Sequence, residues 1–379
     1  LKDCTGDFAL FLEMGSTLSG DAAQNLICRI KVLPSDAKKA LALTADILRT
    51  SAVDDLGAVQ QVLTTLRGEY RDSVTYSAHG FASLAAAAQL QPLQYEGELL
   101  SGLSQWLYLE GIERDDLDGL AARMKALQQK LDNRERLTLH LLCDEENQDS
   151  MAALLETFVS SFGHGEPIEA KKRVYEQFNG DEIHALSIYR LPSSVSYQAY
   201  ALRTSERGSD LQAAQALLAQ MMSGNELWER IRGQGGAYGV NTTVDVMEEL
   251  FLFSTYRDPR IVASFDDFKE VLASYAAGKV DTKALESALI AMVGSELRPL
   301  SPSQQSLLSF RRLLYHISDE YREKRREQLL AIDSEAIRSA ASALIEGAAT
   351  VESRVVITGS QLLEKERAKD RALEGEAIR

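Results

Sequence analysis

Arg232 and Tyr238 are the two side chains whose types and spacing best fit chemistry on a substrate. They lie in the segment 226–239, which reads ELWERIRGQGGAYG. The pattern predicts a helix that carries Arg232 near its C-terminal end, then a glycine-rich turn, then a strand that opens with Tyr238. Across such a turn a guanidinium and a phenol can point into one pocket, and both donate hydrogen bonds. Both therefore suit a developing negative charge on a carbonyl oxygen.

The same residues also have a structural interpretation, in which Arg232 neutralises the helix C-terminus and Tyr238 packs a hairpin. The glycines of the turn favour a site, because they permit positive φ and a close approach of the backbone. We therefore predict substrate binding at Gly235, Gly236 and Ala237. The strand that follows offers an edge that can pair with an extended peptide.

A glycine-rich turn can also indicate nucleotide binding, but here the order of the elements excludes it. A dinucleotide site needs a strand before the glycines and a helix after them, so that the phosphate meets a helix N-terminus. In this chain the helix comes first, and the phosphate would meet a C-terminus with negative partial charge.

The sequence predicts no metal site and no covalent nucleophile in this chain. Its five histidines form neither an H-E-x-x-H nor an H-x-x-E-H pair, and its three cysteines are widely spaced. No G-x-S-x-G motif is present. Arg232 and Tyr238 are therefore interpreted as one part of an active site whose remainder lies elsewhere.

Composition limits the partners. The chain has 379 residues and a net charge of −15, which argues against nucleic-acid binding and permits attraction of basic peptides. No run of eighteen apolar residues occurs, so we predict no membrane span and a soluble protein of the cytoplasm or an organelle matrix. Because the chain begins at Leu1, we expect it to have been cut from something longer.

Hydrophobic periodicity predicts strands followed by helices in the first third of the chain. Apolar residues alternate with polar ones at 8–14 and 26–32, which is typical of half-buried antiparallel strands. Helices are predicted over 36–50, 56–79, 82–90, 97–111 and 115–131. A polar joint at 133–135 is the predicted boundary, and residues 1–133 are expected to form an N-terminally incomplete domain.

The remainder, residues 136–379, is predicted to form a second domain of related plan. Strands are expected at 137–141, 182–190, 195–202, 240–246, 250–256 and 354–358. Helices are expected at 150–162 and 210–222, at the Arg232 segment, and in a group of four after Pro259; a charged tail begins near 364. The predicted fold class is α+β, with two related domains that each pack a mainly antiparallel sheet against several helices.

Five sequence blocks together resemble a known family. They are 227–239 (LWERIRGQGGAYG), 254–259 (STYRDP), 77–82 (SAHGFA), 191–197 (LPSSVSY) and 299–302 (PLSP). The chain resembles the C-terminal half of the pitrilysin/insulysin superfamily of inverted-motif zinc peptidases, in its presequence-protease (falcilysin-like) branch. The resemblance covers nearly the whole chain and begins part-way into the third of four family domains.

The resemblance implies a division of labour between two halves that close around a chamber. The N-terminal half carries the H-x-x-E-H helix and the zinc, which is therefore expected in the missing half and not in this chain. The C-terminal half contributes an arginine and a tyrosine, by motif position Arg232 and Tyr238, to bind the scissile carbonyl and stabilise the oxyanion. The implied partners are the N-terminal half and unfolded peptides, and this chain alone is expected to be inactive. The alternatives are a non-catalytic scaffold or partner subunit of the same superfamily, and a peptide-binding module without hydrolysis.

Overall fold

The computed structural model describes residues 4–113, 116–165, 186–224 and 226–368, and within them two sheets. A two-stranded antiparallel sheet pairs β1 with β2, and a five-stranded sheet has the order β3-β7-β4-β6-β5. The strands are β1 (Asp7–Ser16), β2 (Ala22–Lys31), β3 (Ser187–Arg190), β4 (Ser196–Arg203), β5 (Gly239–Asp245), β6 (Leu250–Asp258) and β7 (Ser353–Thr358). Among the strand pairs of the described residues, only β3–β7 is parallel.

Helices follow both hairpins, and the predicted α+β class is confirmed. The first group is α1 (Ala37–Thr50), α2 (Leu56–Tyr76), α3 (Ala78–Ala88), α4 (Pro92–Ser101), α5 (Leu103–Gly111), α6 (Leu117–Leu131) and α7 (Gln148–Ser160). The second is α8 (Asp210–Gly224), α9 (Ala263–Ala276), α10 (Thr282–Glu296), α11 (Pro302–Leu314), α12 (Asp319–Leu330), α13 (Ser334–Thr350) and α14 (Ser360–Arg367). Five helices, not the predicted four, lie between β6 and β7. Of the helices in the described ranges, none is long and apolar enough to cross a bilayer.

The predicted strand at 137–141 is wrong as a paired element. Residues 137–144 carry no strand assignment, and this segment pairs with neither sheet. Its leucines stay partly exposed, as at Leu139 and Leu142. Alternation fixes which side chains share a face, but a strand also needs a neighbouring backbone, and none lies beside this segment among the described residues. The predicted strand at 182–190 lies partly outside those residues, as does most of the charged tail.

The centre of the larger sheet is β4, whose first seven residues are buried. Side chains of this strand alternate between two layers, because successive residues point to opposite faces. Tyr200 and Leu202 join the core formed with α8, α9 and α13, while Ala199 and Ala201 lie in a second core with α3. Small alanines on both surfaces let α3 approach the sheet closely.

The first group of helices and the larger sheet therefore share a core, and polar contacts reinforce the junction. The N–H of Ser16 donates to Glu248 Oε1 at 2.7 Å, and the Ser16 hydroxyl donates to Oε2 at 3.0 Å. Burial raises the pKa of Glu248. On α11, the Arg311 guanidinium donates to both carboxylate oxygens of Glu13, with Nε 3.0 Å from each. The domain boundary predicted at 133–135 stays a prediction.

Candidate functional site

The segment that carries Arg232 is a π-helix, Trp228–Gln234, rather than an ordinary α-helical end. Its widened turn is closed by the N–H of Gly235, which donates to the carbonyl of Arg230 at 2.8 Å. A bond between residues five apart adds one residue to the turn, a feature often found at functional sites. Gly236 then takes a φ of 80° and ends the helix, a conformation that favours glycine.

Tyr238 stands at the entry to β5, where the chain leaves the turn. Its N–H donates to the carbonyl of Tyr256 at 3.0 Å, so the hairpin ladder fixes its backbone. Its ring packs edge-on against the Tyr256 ring, with centroids 5.8 Å apart. Even so, 65% of Tyr238 is exposed.

The guanidinium of Arg232 lies beside the Tyr238 ring, so the structure brings together the two predicted site residues. Its central carbon is 5.6 Å from the Tyr238 ring centre and 5.4 Å from the centre of the Trp228 ring. Cations are attracted to the faces of aromatic rings at such distances. No carboxylate in the described part of the chain pairs with Arg232, and the residue is exposed. Its donors are therefore available to a ligand oxygen.

The backbone of the predicted binding turn is already engaged within the protein. The N–H of Gly236 donates to the backbone carbonyl of Arg232 at 3.2 Å, and the N–H of Ala237 donates to the backbone carbonyl of Ile231 at 3.0 Å. The N–H of Gly235 donates to the carbonyl of Arg230, as described above. These three N–H groups are thus occupied. Any contact of Gly235, Gly236 or Ala237 with substrate would use carbonyls or the small surface of the turn.

The Arg260 side chain packs against the glycine-rich turn at Gly235. A methyl group added at Gly235 would collide with the Arg260 guanidinium and stand 2.6 Å from the Ile231 carbonyl oxygen, so a side chain there requires the turn to shift. Arg260 is held by Asp267 at 2.9 Å and by the Ser264 hydroxyl at 2.9 Å. The buried Asp258 completes the network, and burial raises the pKa of its carboxyl. The turn therefore packs against a hydrogen-bonded cluster of Arg260, Asp258, Asp267 and Ser264.

An aromatic row continues from Tyr238 into the first group of helices. Tyr256 contacts Tyr197, with centroids 5.6 Å apart, and His79, with centroids 5.0 Å apart. His79 lies at the start of α3, and burial lowers its pKa, which favours the neutral imidazole. Arg257, with a φ of 52°, lies over the Tyr256 ring at 5.4 Å.

The edge of β5 is only partly open to another strand. The N–H of Thr242 donates to the Ser223 hydroxyl at 2.8 Å, and that hydroxyl donates back to the Thr242 carbonyl at 3.1 Å. A side chain of α8 thus occupies the middle of the edge. Strand addition by a peptide would be restricted to the first residues of β5, which weakens the interpretation as a simple peptide-binding module.

The site offers hydrogen-bond donors without a reacting group. Within the described residues no group of three His, Cys, Asp or Glu side chains could hold a metal ion. His184 lies outside those residues. Two exposed donors on an open surface can bind an oxygen that carries negative charge, but they do not by themselves cleave a bond.

Sequence reasoning missed Trp228, Tyr256, Arg260 and His79 as parts of this surface. Trp228 could have been found, since it lies four residues before Arg232, which is the spacing of side chains that meet on a helix. Tyr256 lies opposite Gly239 in the hairpin, so its position follows from the register of β5 and β6. Arg260 and His79 reach the site only through tertiary packing, which no local pattern reveals.

Comparison with known proteins gives two matching families that together span most of the chain. Residues 187–361 match the PreP C-terminal domain, and residues 3–112 match the associated domain of subfamily C of the M16 peptidases. Among curated relatives, the mitochondrial presequence protease of Gibberella zeae is 26% identical over 308 residues, which cover 80% of this chain and 30% of the relative. The mitochondrial presequence protease of Danio rerio is 24% identical over 329 residues, which cover 82% of this chain and 32% of the relative.

Among solved structures, the fold matches a peptidase M16 inactive domain from Pseudomonas fluorescens. The TM-score is 0.58 at 17% identity, and the match covers 93% of this chain and 81% of that one. At this identity the likeness speaks for the fold alone. The chain spans about a third of the length of the curated relatives named above.

Proposed function

The chain belongs to the presequence-protease branch of the pitrilysin/insulysin superfamily, as a C-terminal part, and from that premise we propose that it completes the active site of a zinc endopeptidase. In this proposal it contributes Arg232 and Tyr238 to a centre carried by an N-terminal companion half. The substrates are unfolded peptides. The isolated chain is inactive.

The observation that carries the proposal is the pairing of Arg232 with Tyr238 on an open surface. A purely structural arginine at a helix end would be expected to find a carboxylate or to cap carbonyls. Arg232 instead contacts two aromatic rings, with its central carbon 5.4 Å and 5.6 Å from their centres, and the residue is exposed. The scaffold alternative gives no reason to hold these two donors side by side in this way.

The two residues have distinct roles in the proposal. Arg232 donates a charged hydrogen bond to the carbonyl oxygen of the scissile peptide, and the Tyr238 hydroxyl donates a second one. Both bonds strengthen as the oxygen becomes an anion, which lowers the barrier rather than only tightening substrate binding. Trp228 and the π-turn hold the guanidinium in place, and Arg260 holds the turn.

Zinc is assigned by this proposal to the companion half. The described residues of this chain do not fit a metal, because no suitable cluster of ligands exists among them. The chemistry that the metal supplies lies on the other half, and this chain binds and orients the carbonyl. Because the curated relatives named above are mitochondrial presequence proteases, the proposal places the protein in an organelle, in agreement with the organelle matrix expected from the sequence.

The test is reconstitution of the chain with its companion half, followed by kinetics on an unfolded peptide. Tyr238→Phe and Arg232→Ala should each lower kcat/KM by about 10²- to 10³-fold, the usual effect of losing one oxyanion donor. Binding of a non-cleaved peptide should change much less. Wild-type rates in both variants would exclude the assigned roles and favour the scaffold.

A further inference from the structure

Arg257 has a backbone conformation that a strand residue does not normally adopt. It lies within β6, one residue before the strand ends, yet its φ is 52°. Among the described residues, Glu249 and His316 are the other non-glycine residues with such a φ, and they lie in the hairpin turn and after the end of α11. A turn or a helix end favours this conformation, whereas a strand does not. Strain within a regular element points to a function for the side chain that is held there.

A β-bulge lies at the same place. The register of β4 against β6 shifts between two pairs of opposite residues, Ser196 with Asp258 and Gln198 with Thr255. One residue of β4, Tyr197, therefore stands opposite two residues of β6, Tyr256 and Arg257. Bulges are frequent next to active sites, where the extra residue turns a side chain in a new direction. The carbonyl of Arg257 also accepts from the N–H of Tyr238 at 3.3 Å, so the bulge lies directly beside the candidate site.

Arg257 and Arg232 are the two ends of one continuous row of side chains. The Arg232 guanidinium contacts the Tyr238 ring, which in turn contacts the ring of Tyr256. The Arg257 guanidinium lies over that second ring, and none of these three separations exceeds 5.8 Å. An extended peptide advances about 3.3 Å per residue, so peptide residues that contact the two guanidinium groups would be no more than about five positions apart. Both cations therefore lie within reach of a single peptide.

The guanidinium of Arg257 is accessible to a ligand. The residue is exposed, and no carboxylate in the described ranges forms an ion pair with it. Its neighbour Asp258 is buried and accepts from Arg260 and Ser264 instead. A guanidinium that lies over a ring keeps the N–H groups in its own plane for another partner. The partner that best fits this planar group is a carboxylate, which can accept two parallel hydrogen bonds.

We propose that Arg257 is a specificity-determining residue, which binds a carboxylate of the peptide that lies on Arg232 and Tyr238. The carboxylate belongs either to an acidic side chain of the peptide or to its C-terminus. A chain with a net charge of −15 repels a peptide carboxylate over most of its surface. The contact with Arg257 therefore selects the register in which the acid lies at this end of the row. This inference rests on the proposed function, because it concerns the peptide that is bound there.

The test is the binding of peptide pairs to the chain reunited with its companion half, in the presence of a chelator so that no peptide is cleaved. The members of a pair differ only by Glu or Gln at one position, which is moved along the peptide one residue at a time. A further pair differs only by a free or an amidated C-terminus. One of these pairs should show about tenfold tighter binding of the charged member, the effect of a hydrogen-bonded charge. Which pair it is identifies the source of the carboxylate.

Arg257→Gly is the variant that tests the residue, because glycine readily adopts a φ of 52° and so preserves the bulge. The preference for the charged member should disappear, while the melting temperature should stay the same or rise as strain is relieved. Arg257→Lys keeps the charge and should retain part of the preference. Arg298→Gly is the matched control, since it makes the same exchange at an exposed arginine in the connection between α10 and α11. It should leave the preference unchanged.

Equal affinities for the two members of every pair would overturn the carboxylate subsite, and so would a preference that Arg257→Gly leaves intact. Cleavage of an unfolded peptide is measured separately, without the chelator. Cleavage without a preference that depends on Arg257 would leave the proposed function standing and remove the subsite. A preference that depends on Arg257, without any cleavage, would support the subsite and contradict the proposed function.

Discussion

Arg232 and Trp228 are stacked across one turn of the π-helix, with the guanidinium carbon 5.4 Å from the centre of the indole ring. The same guanidinium carbon lies 5.6 Å from the centre of the Tyr238 ring. The arginine is therefore held by two rings rather than by an acid. A carboxylate partner would compete with a substrate oxygen for its donors, whereas aromatic faces leave those donors free.

Replacing the Trp228 indole should reduce the contribution of Arg232 to catalysis, because the guanidinium is then held less firmly. Trp228→Leu is expected to lower kcat/KM of the reconstituted enzyme about two- to fivefold, since an exposed cation–π contact contributes about 0.5–1 kcal/mol. The measurement is a double-mutant cycle with Arg232→Ala. In that background the Trp228 change should have no further effect, and an equal loss in both backgrounds would show that Trp228 acts independently of Arg232.

The close packing under the turn predicts that Gly235→Ala is harmful. Its methyl group would stand 2.6 Å from the Ile231 carbonyl, so the turn must shift, at a cost of about 1–3 kcal/mol. Urea unfolding should show the loss, and activity should fall with it because Arg232 moves. Gly294→Ala is the control: this exposed helical glycine has no heavy atom within 4 Å, and alanine there should stabilise by up to about 1 kcal/mol. Equal stability of the two variants would contradict the packing argument.

The raised pKa of the buried Glu248 carboxyl leads to a prediction of how the stability of the fold changes with pH. Burial raises the pKa of this carboxyl in the folded state, so the folded protein holds the proton more tightly than the unfolded chain does. The resulting contribution to stability is present below the unfolded pKa and is lost as pH rises through the folded pKa.

Glu248→Gln removes that titration while one amide oxygen can still accept from Ser16. The difference in melting temperature between the variant and the wild type should therefore favour the variant increasingly from acid to neutral pH. Calorimetry between about pH 4 and pH 8 measures it, that range spanning the ordinary carboxyl pKa and values above it. A difference that stays constant over this range would mean that Glu248 does not titrate there.

The ion pair between Arg311 of α11 and Glu13 of the first hairpin is expected to stabilise the fold. Arg311→Met leaves Glu13, whose side chain is only 13% exposed, without its charged partner. We expect a loss of about 1 kcal/mol in the free energy of unfolding, because the exposed arginine is partly screened by solvent. Arg338→Met, which breaks a solvent-exposed pair within one helix, is the control and should have no measurable effect. Indistinguishable unfolding curves for the two variants would contradict this.

Local patterns predicted single elements well where each element is determined by its own neighbours. The helix expected at 210–222 is α8, Asp210–Gly224, and the strand expected at 195–202 is β4, Ser196–Arg203; both are confirmed. The strand expected at 137–141 is wrong, because alternation cannot tell whether a partner backbone is present. The π-turn was also beyond prediction, since it depends on one shifted hydrogen bond and not on a change of periodicity.

The sequence predicted the two exposed side chains of the candidate site, but it did not predict the residues that hold the turn in place. Spacing indicated that Arg232 and Tyr238 could meet, and the structure places them in contact. The network of Asp258, Arg260 and Asp267 spans the end of β6 and the first turns of α9, and although Asp258 lies in the block 254–259, the pattern of that block does not show that these side chains contact one another. Whether the pair binds a carbonyl remains a prediction for the reconstitution experiment.

The alanine surface of α3 sets a limit on motion. Because that helix is pressed directly onto the larger sheet, the two parts of this chain would have to expose a shared apolar layer in order to swing apart. If the proposed full-length enzyme opens to admit a peptide, we expect the movement to occur elsewhere than between α3 and the larger sheet. Arg232 and Tyr238 would then move together with the larger sheet and α3 as one rigid body.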